Sequence, residues 1–341
     1  MTIGFALIGA DHLHVFTLVE GLVRAGARPV AHVHAGDLIG GYEAWQPTSE
    51  VRDLADVLAD DDIDLVVTVG VPADRAGVAL AALEAGKAVL SAKPGVTTRA
   101  DLDRIRSLVA DRPGRPWTVL FSERFENRAI ARAVTMARGG AVGTVVHVTG
   151  SGPHALHPDL RPDWFWDPVR SGGILVDLAS HQVDQFLALS GVTAPGGSGG
   201  IVVTESWVGN VSCPDHPAMQ DVGALTLAGG GVVGEHRVDL LSPAGLATWG
   251  DVRLTIVGTE GTLEVRANID VGGEPGGEHL IVTDGEGVRR VDVSGDSLGW
   301  AEDLLADLAD GGERLCSQDH VLTVSDLTLQ AQERARPWGR P

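Results

Sequence analysis

The chain of 341 residues carries 46 acidic and 26 basic residues, a formal net charge of −20, and 44% of its residues are hydrophobic. This acidic balance without a basic run excludes a nucleic-acid binder and a polybasic membrane surface, and the hydrophobic content excludes a disordered chain. Only two lysines, Lys87 and Lys93, stand among the basic residues. The two cysteines lie far apart, the N-terminus has no basic flank, and no apolar stretch reaches about 20 residues. These features predict a cytoplasmic protein without signal peptide or membrane span.

The first third of the chain alternates between short apolar runs and helix-like segments. The runs span 3–8, 29–34, 63–69, 88–90 and 117–121, and the helical segments span 12–25, 51–59, 74–85 and 98–111. Strands that alternate with helices form parallel sheets covered on both faces. Residues 1–122 are therefore predicted to form an α/β domain.

The remainder of the chain has a different pattern. A helix at 127–138 and a strand at 144–150 are followed by a helix at 174–189, a glycine-rich break at 195–200, seven strand-like segments between 201 and 293, and helices at 298–309 and 318–335. Turn residues between the strand-like segments indicate antiparallel hairpins. Residues 123–341 are predicted to form an α+β domain with one large, open, mostly antiparallel sheet. Whether the last helix packs back on the first domain stays open.

A turn that could hold a dinucleotide follows the first predicted strand. Such a site needs a glycine turn between a strand and a helix whose N-terminus faces the pyrophosphate. Of the three glycines in that pattern only Gly9 is present, and Asp11 stands where a diphosphate has to approach the backbone. Asp11 could instead cap the helix. His12 and His14 could donate to phosphate or could pack and cap, and with no third ligand nearby in sequence a metal site is not expected.

The end of the second predicted strand is where an acidic residue would hold the ribose hydroxyls of NAD. His34 occupies that position, and Asp37 lies three residues further on. No arginine lies within 35–51 to bind the 2′-phosphate of NADP. The sequence favours NAD, with NADP as the alternative cofactor.

Two other segments carry residues suited to acid–base chemistry. Lys93 follows the strand at 88–90, at the sheet edge where ligands bind, and lysine, unlike arginine, can titrate. Asp177, His181 and Asp184 are spaced four and three apart, so they share one side of the predicted helix. The alternative is an ordinary surface pair of Asp177 and His181. The rarity of lysine in this chain favours the functional interpretation.

These residues lie in motifs that resemble those of the glucose–fructose oxidoreductase / inositol dehydrogenase (Gfo/Idh/MocA) superfamily. Residues 81–94 are similar to its ALEAGKHVLCEKP motif, Arg124-Phe125 to its RRF segment, residues 164–181 to its WF…GGG…D…H block, and residues 258–263 to its GTEGTL turn. The chain departs from the family at Ala92, where a glutamate is usual, and at 71–76, which lack the Asn and His of the TPNxxH turn.

The resemblance implies an N-terminal Rossmann domain, a doubly wound parallel sheet, and a catalytic set of Lys93, Asp177 and His181. His181 would take the hydroxyl proton, Lys93 would donate to the same oxygen, and Asp177 would orient His181 or hold a neighbouring hydroxyl. The predicted cofactor-binding residues are Gly9, Asp11, His12, His14, His34, Asp37, Val71, Pro72 and Lys93. The candidate substrate residues are Arg124, His154, His157, Trp164, Trp166 and Asp184, and the tryptophans could stack on a sugar or form a lid.

The sequence therefore predicts an NAD(P)-dependent dehydrogenase that acts on a secondary alcohol of a sugar, cyclitol or related polyol. A neutral substrate is favoured, because most of the negative charge lies after residue 122. The alternatives are the same fold with bound NAD that cycles internally, as an isomerase, transferase or glycoside-cleaving enzyme, and a non-redox ligand-binding scaffold. The family's open sheet implies a homodimer or homotetramer formed through the C-terminal sheet.

Overall fold

Residues 2–46, 48–112, 114–192 and 200–338 are described by the computed structural model of this chain. They divide into two compact units. The first comprises the residues up to Leu120, Val169–Gly172 and Gly299–Ser325, and the second comprises Phe121–Pro168, Gly173–Leu298 and the residues from Asp326 onward. No helix within these ranges is long and apolar enough to cross a bilayer. Of the glycine-rich break predicted at 195–200, residues 195–199 lie outside the described residues.

The first unit is built on a six-stranded parallel sheet. Its strands are β1 (Gly4–Ala10), β2 (Arg28–Val33), β3 (Glu50–Val51), β4 (Leu65–Val69), β5 (Ala88–Ala92) and β6 (Trp117–Leu120), arranged in the order β3-β2-β1-β4-β5-β6. The chain winds outward from β1 in both directions, which defines a doubly wound sheet. Strands β4 and β5 are buried along their whole length, as expected for strands covered on both faces. The predicted Rossmann-type parallel sheet is confirmed.

Helices separate these strands. They are α1 (His14–Arg24), α2 (Ile39–Trp45), α3 (Leu54–Ala59), α4 (Pro72–Glu84) and α5 (Arg99–Asp111). In α1 the buried residues follow the spacing of an amphipathic helix: Val15, Leu18, Val19 and Leu22. Helix α5 begins after Thr98, whose side chain accepts the backbone N–H of Asp101 as a cap. Helix α2 and the short strand β3 were not predicted from the sequence.

The second unit contains a nine-stranded mixed sheet. Its strands are β7 (Val145–Pro153), β8 (Val202–Gly209), β9 (Val222–Gly229), β10 (Val232–Asp239), β11 (Val252–Gly258), β12 (Gly261–Ala267), β13 (His279–Asp284), β14 (Gly287–Val291) and β15 (Arg336–Trp338), in the order β14-β13-β12-β11-β7-β10-β9-β8-β15. Neighbours pair antiparallel except β7 with β10 and β8 with β15. The prediction of a large, mostly antiparallel sheet is confirmed, and the edge strand β15 is an addition to it.

The remaining helices are α6 (Ser122–Phe125), α7 (Arg128–Arg138), α8 (Pro168–Ser171), α9 (Ile174–Asp177), α10 (Ala179–Ser190), α11 (Trp300–Asp310) and α12 (Gln318–Arg334). The single helix predicted at 174–189 is divided at Leu178 in the structure. There the backbone N–H of His181 donates to the oxygen of Leu178 at 3.2 Å, a bond over three residues that interrupts the regular spacing of four. Helix α10 is buried from Ala179 to Leu189, which places it in the core of the second unit.

Candidate functional site

The last residues of β1 and the turn that follows them lie against the end of β4. Gly9 has φ +82°, and a Cβ at this position would lie 2.8 Å from the Cα of Gly70, so only glycine fits. The backbone N–H of Asp11 donates to the oxygen of Val69 at 3.0 Å. The carboxyl edge of the sheet therefore carries a tight glycine turn that leads into α1, as a dinucleotide site requires.

Asp11 braces this turn against the loop that follows β2. Its Oδ1 accepts the backbone N–H of Asp37 at 3.1 Å. Burial raises the pKa of the Asp11 carboxyl, and the hydrogen bond from Asp37 opposes that rise. The first turn of α1 contains no acidic residue. The Nδ1 of His12 accepts the N–H of His14 at 3.2 Å, so a neutral His12 carries its proton on Nε2.

An acidic side chain stands at the carboxyl end of β2, and α2 supplies it. The Oε1 of Glu43 lies 2.6 Å from Nδ1 of His34 and 3.1 Å from Nε2 of His32. His32 is buried and its Nδ1 lies 2.9 Å from the hydroxyl of Ser49, whereas His34 is exposed. The hydrogen bonds from His34 and His32 hold the pKa of Glu43 below its usual value. Sequence reasoning did not single out Glu43, because α2 was not predicted.

Lys93 directly follows β5, which extends two residues beyond the predicted strand. Its side chain is buried, with 5% exposure. The backbone oxygen of Lys93 accepts a hydrogen bond from Nη1 of Arg75 at 2.6 Å. Val71 precedes α4, and Pro72 is its first residue. The other lysine, Lys87, donates to the backbone oxygen of Asp60 at 2.5 Å.

Asp177 and His181 lie on either side of the junction between α9 and α10, within the second unit. Leu178 has φ −101° and ψ −42°, so the chain stays close to helical values between them. His181 is buried, with 2% exposure. Arg161 is an additional residue near Asp177: burial lowers the pKa of its guanidinium and the charge of Asp177 raises it. Its Nε donates to the oxygen of Leu156 at 2.7 Å.

The start of α9 depends on Gly173 and two glutamines. The N–H groups of Ile174 and Leu175 donate to Oε1 of Gln220 and of Gln332, both at 3.1 Å. Gly173 has φ +82°, and a Cβ there would lie 2.7 Å from either glutamine side chain. The glycine of the motif is therefore needed to bring Asp177 and His181 to their place.

Arg124 and Asp184, two of the predicted substrate residues, pair with each other in the second unit. Nε of Arg124 donates to Oδ2 of Asp184 at 2.7 Å, and Nη2 donates to Oδ1 at 2.6 Å. Asp184 is fully buried and Arg124 is 13% exposed. This two-pronged geometry is the strong form of a charge pair.

The aromatic loop before α9 packs on two residues that the sequence analysis did not single out. Trp166 stacks on His216, with ring centroids 3.9 Å apart and planes 12° apart. The ring of His154 lies 4.5 Å from that of Trp249.

Two further residues of this loop were predicted to contact substrate. Trp164 is buried, and His157 is exposed with a left-handed backbone at φ +46°. Across the described ranges, no group of three or more His, Cys, Asp or Glu side chains could hold a metal ion.

Comparison with known proteins identifies the family. The family model of the GFO/IDH/MocA C-terminal domain matches residues 130–264. The solved structure of a presumed oxidoreductase from Erwinia carotovora atroseptica superposes with a TM-score of 0.92 at 33% identity, covering 98% of this chain and 99% of that one. The chain belongs to the GFO/IDH/MocA family. The resemblance drawn from the sequence motifs is confirmed.

Two of the proteins that this chain resembles are named for a cyclitol and a sugar derivative. Inositol 2-dehydrogenase 1 of Saccharopolyspora erythraea is 32% identical over 172 residues, which are 49% of this chain and 47% of that protein. The chain thus aligns with about half the length of this curated relative. Levoglucosan dehydrogenase, solved with NADH and levoglucosan, shares the fold at a TM-score of 0.79 and 18% identity over 98% of both chains.

Proposed function

We propose that this GFO/IDH/MocA protein is an NAD(P)-dependent oxidoreductase that transfers hydride between a nicotinamide cofactor and a secondary alcohol carbon of a sugar, cyclitol or related polyol. The observation that carries the proposal is the position of Lys93, buried and directly after β5, at the edge where doubly wound sheets bind ligands. The substrate class is supported by relatives named inositol 2-dehydrogenase and levoglucosan dehydrogenase.

The carboxyl edge of the first unit fits a dinucleotide. Gly9 and Gly70 lie so close together that only backbone, and no side chain, fits between them. Helix α1 begins directly after this segment and has no acidic residue in its first turn. Backbone groups of this turn and Nε2 of His12 would hold the diphosphate, with His14 beside them. Val71 and Pro72, at the start of α4, would lie against the nicotinamide half. When bound, the cofactor supplies the hydride acceptor or donor.

The acidic side chain at the end of β2 supports NAD over NADP. Glu43 has a lowered pKa and is held by His34 and His32, so it is ionised at neutral pH. A carboxylate at this strand end accepts hydrogen bonds from ribose hydroxyls and repels a 2′-phosphate. We propose that Glu43 binds the ribose hydroxyls, the role for which the sequence suggested His34 or Asp37. His34 contacts Glu43, and Asp37 remains a candidate for the same role.

Proton transfer is proposed for the residues of the family motifs, Lys93, Asp177 and His181. As the substrate C–H bond breaks and its electron pair leaves as hydride, the hydroxyl proton passes to His181 and a carbonyl forms. The ammonium of Lys93 donates to the same oxygen and stabilises its developing negative charge. Asp177 orients His181 or holds a neighbouring hydroxyl. An imidazole suits this role, because its unperturbed pKa of about 6.5 lies near neutral pH.

Cofactor binding tests the proposal first. NAD and NADP, each in its oxidised and its reduced form, are titrated separately into the purified chain, with the thermal unfolding midpoint and, for the reduced forms, the nicotinamide fluorescence as readouts. We expect both readouts to respond to NAD at lower concentration than to NADP. If neither nucleotide binds at millimolar concentration, the dehydrogenase proposal fails and a non-redox scaffold replaces it.

We also propose that copies of the chain associate through the nine-stranded sheet. Val233 on β10 and Val202 on β8 are exposed, and both pair with Ala228 of β9, so they lie on one face of the sheet. Size-exclusion chromatography with light scattering measures the mass in solution. A dimer or tetramer that dissociates in the Val233→Glu variant supports this interface, and a monomeric wild type overturns it.

A further inference from the structure

The guanidinium of Arg75 binds the backbone that carries Lys93. Arg75 belongs to the first turn of α4 and is 1% exposed. Its Nη1 donates to the oxygens of Ala92, Lys93 and Pro94 at 3.1, 2.6 and 3.1 Å. Its Nε donates to the oxygen of Gly70 at 2.7 Å. One side chain therefore ties the loop after β5 to the loop after β4.

This arrangement depends on the shape of an arginine side chain. A guanidinium presents five donors in a rigid planar fork, whereas a lysine amine presents three donors at one point. The four acceptors are backbone oxygens from two separate segments: the oxygen of Gly70 accepts from Nε, and the oxygens around Lys93 share Nη1. The ends of the strands fix the positions of these oxygens. Arg75 therefore restrains the backbone of Lys93 relative to the sheet.

A buried guanidinium also needs a negative charge nearby, because its desolvation is costly. Asp11 supplies one. Its Oδ2 lies 3.6 Å from the position that a Cβ on Gly70 would take. Gly70 is the residue whose oxygen accepts from Nε of Arg75. The charge of Arg75 in turn favours the ionised form of Asp11. Asp11, which departs from the glycine pattern of the turn, therefore belongs to the same arrangement as Arg75.

We propose that Arg75 is a positioning residue, which holds the loop after β5 so that the amine of Lys93 keeps the place the reaction needs. This role rests on the proposed function, because it serves catalysis only where Lys93 donates to the substrate oxygen. Its structural part, the restraint of Lys93, stands on the four hydrogen bonds alone and can be measured without cofactor or substrate.

The chain itself offers the measurement, because it has two lysines and each can be followed separately. The cofactor-free protein is acetylated with acetic anhydride, and peptide mass spectrometry gives the labelling rate of Lys93 relative to Lys87. In Arg75→Lys we expect this ratio to rise about tenfold, because local opening of the loop becomes easier. With NAD and a polyol substrate, kcat falls in the same variant while the KM for NAD changes little.

Arg112→Lys is the matched control. Arg112 also donates to backbone oxygens of this unit, those of Leu83 and Glu84 at the other end of α4. We expect it to lower the unfolding midpoint without moving the labelling ratio. Equal ratios in Arg75→Lys and Arg112→Lys overturn the proposal. Arg75→Gln serves as a second variant, and if neither Arg75 variant folds, Arg75 is purely structural and the proposal is also overturned. If the labelling ratio rises in Arg75→Lys but the chain binds no nucleotide, the restraint of Lys93 by Arg75 stands and only the proposed dehydrogenase activity is refuted.

Discussion

Glu43 lies 2.6 Å from the imidazole of His34, and this contact fixes an acidic group at the carboxyl end of β2. Nε2 of the buried His32 lies 3.1 Å from the same carboxylate oxygen. Glu43 from α2 and the two histidines at the end of β2 therefore determine the charge at this strand end. We expect that charge to govern the choice between NAD and NADP.

Glu43→Gln tests this expectation. The amide removes the charge that would repel a 2′-phosphate, so the preference for NAD over NADP is expected to fall by about tenfold, the equivalent of about 1.4 kcal/mol. Fluorescence titration with both reduced nucleotides gives the ratio of dissociation constants. Glu50→Gln, in the neighbouring strand β3, is the control and should keep the wild-type ratio. An unchanged ratio in Glu43→Gln would remove Glu43 from the cofactor site.

The ion pair of Arg124 and Asp184 leads to a prediction about stability. Asp184→Asn leaves a guanidinium without its buried counter-charge, so the free energy of unfolding is expected to fall by about 3–5 kcal/mol. Urea denaturation measures it. Glu20→Gln, which breaks the exposed pair with Arg24, should change stability by less than about 1 kcal/mol. If Asp184→Asn is as stable as the wild type and raises KM for the polyol, the pair binds substrate, as the sequence analysis predicted.

His236 gives the second unit a pH-dependent stability. Burial lowers its pKa to about 3, whereas the unfolded chain titrates near about 6.5. Between these values the unfolded chain binds a proton that the folded chain does not. Stability should therefore fall as the pH drops below about 6.5, by up to about 1.4 kcal/mol per pH unit, and it is recovered as the pH rises.

The variant His236→Asn removes this titration. Its unfolding free energy, measured from pH 4 to pH 7, should depend less steeply on pH than that of the wild type, by about one proton. His147→Asn is the control, since His147 lies on the opposite face of the same sheet and is partly exposed. The charge of His147 also lowers the pKa of His236, but less than burial does, so this variant keeps the titration of His236. Identical slopes in His236→Asn and in the wild type would show that the unfolded and folded chains protonate His236 alike.

The order of strands and helices could be predicted because it follows from local patterns. Mostly apolar runs mark β4 and β5, and they place Lys93 at the carboxyl edge without any structure. Helix α2 could not be predicted, because its sequence Ile-Gly-Gly-Tyr-Glu-Ala-Trp contains two glycines and spans only two turns. With α2 missed, Glu43 was not considered as the acidic group at the end of β2, and Asp37 was.

Burial of charged residues is the other feature that the sequence did not reveal. Arg75 stands in the first turn of a helix, where an arginine is usually solvated. Its four acceptors belong to residues up to nineteen positions away, and only the folded sheet brings them together. The pairing of Arg124 with Asp184, sixty positions apart, was hidden for the same reason.

We expect this chain to oxidise a polyol through Lys93 and His181, and comparing the reaction rates of four forms of the protein shows whether it does. The wild type, Lys93→Met, His181→Asn and the control Lys87→Met are loaded with NAD and mixed with a panel of cyclitols and sugars, while the formation of reduced nicotinamide is followed. We expect turnover in the wild type and in Lys87→Met, and a loss of about 100-fold or more in Lys93→Met and His181→Asn with NAD still bound. Full rates in His181→Asn, or no reduced nicotinamide from a wild type that binds NAD, would show that the proposed reaction is wrong.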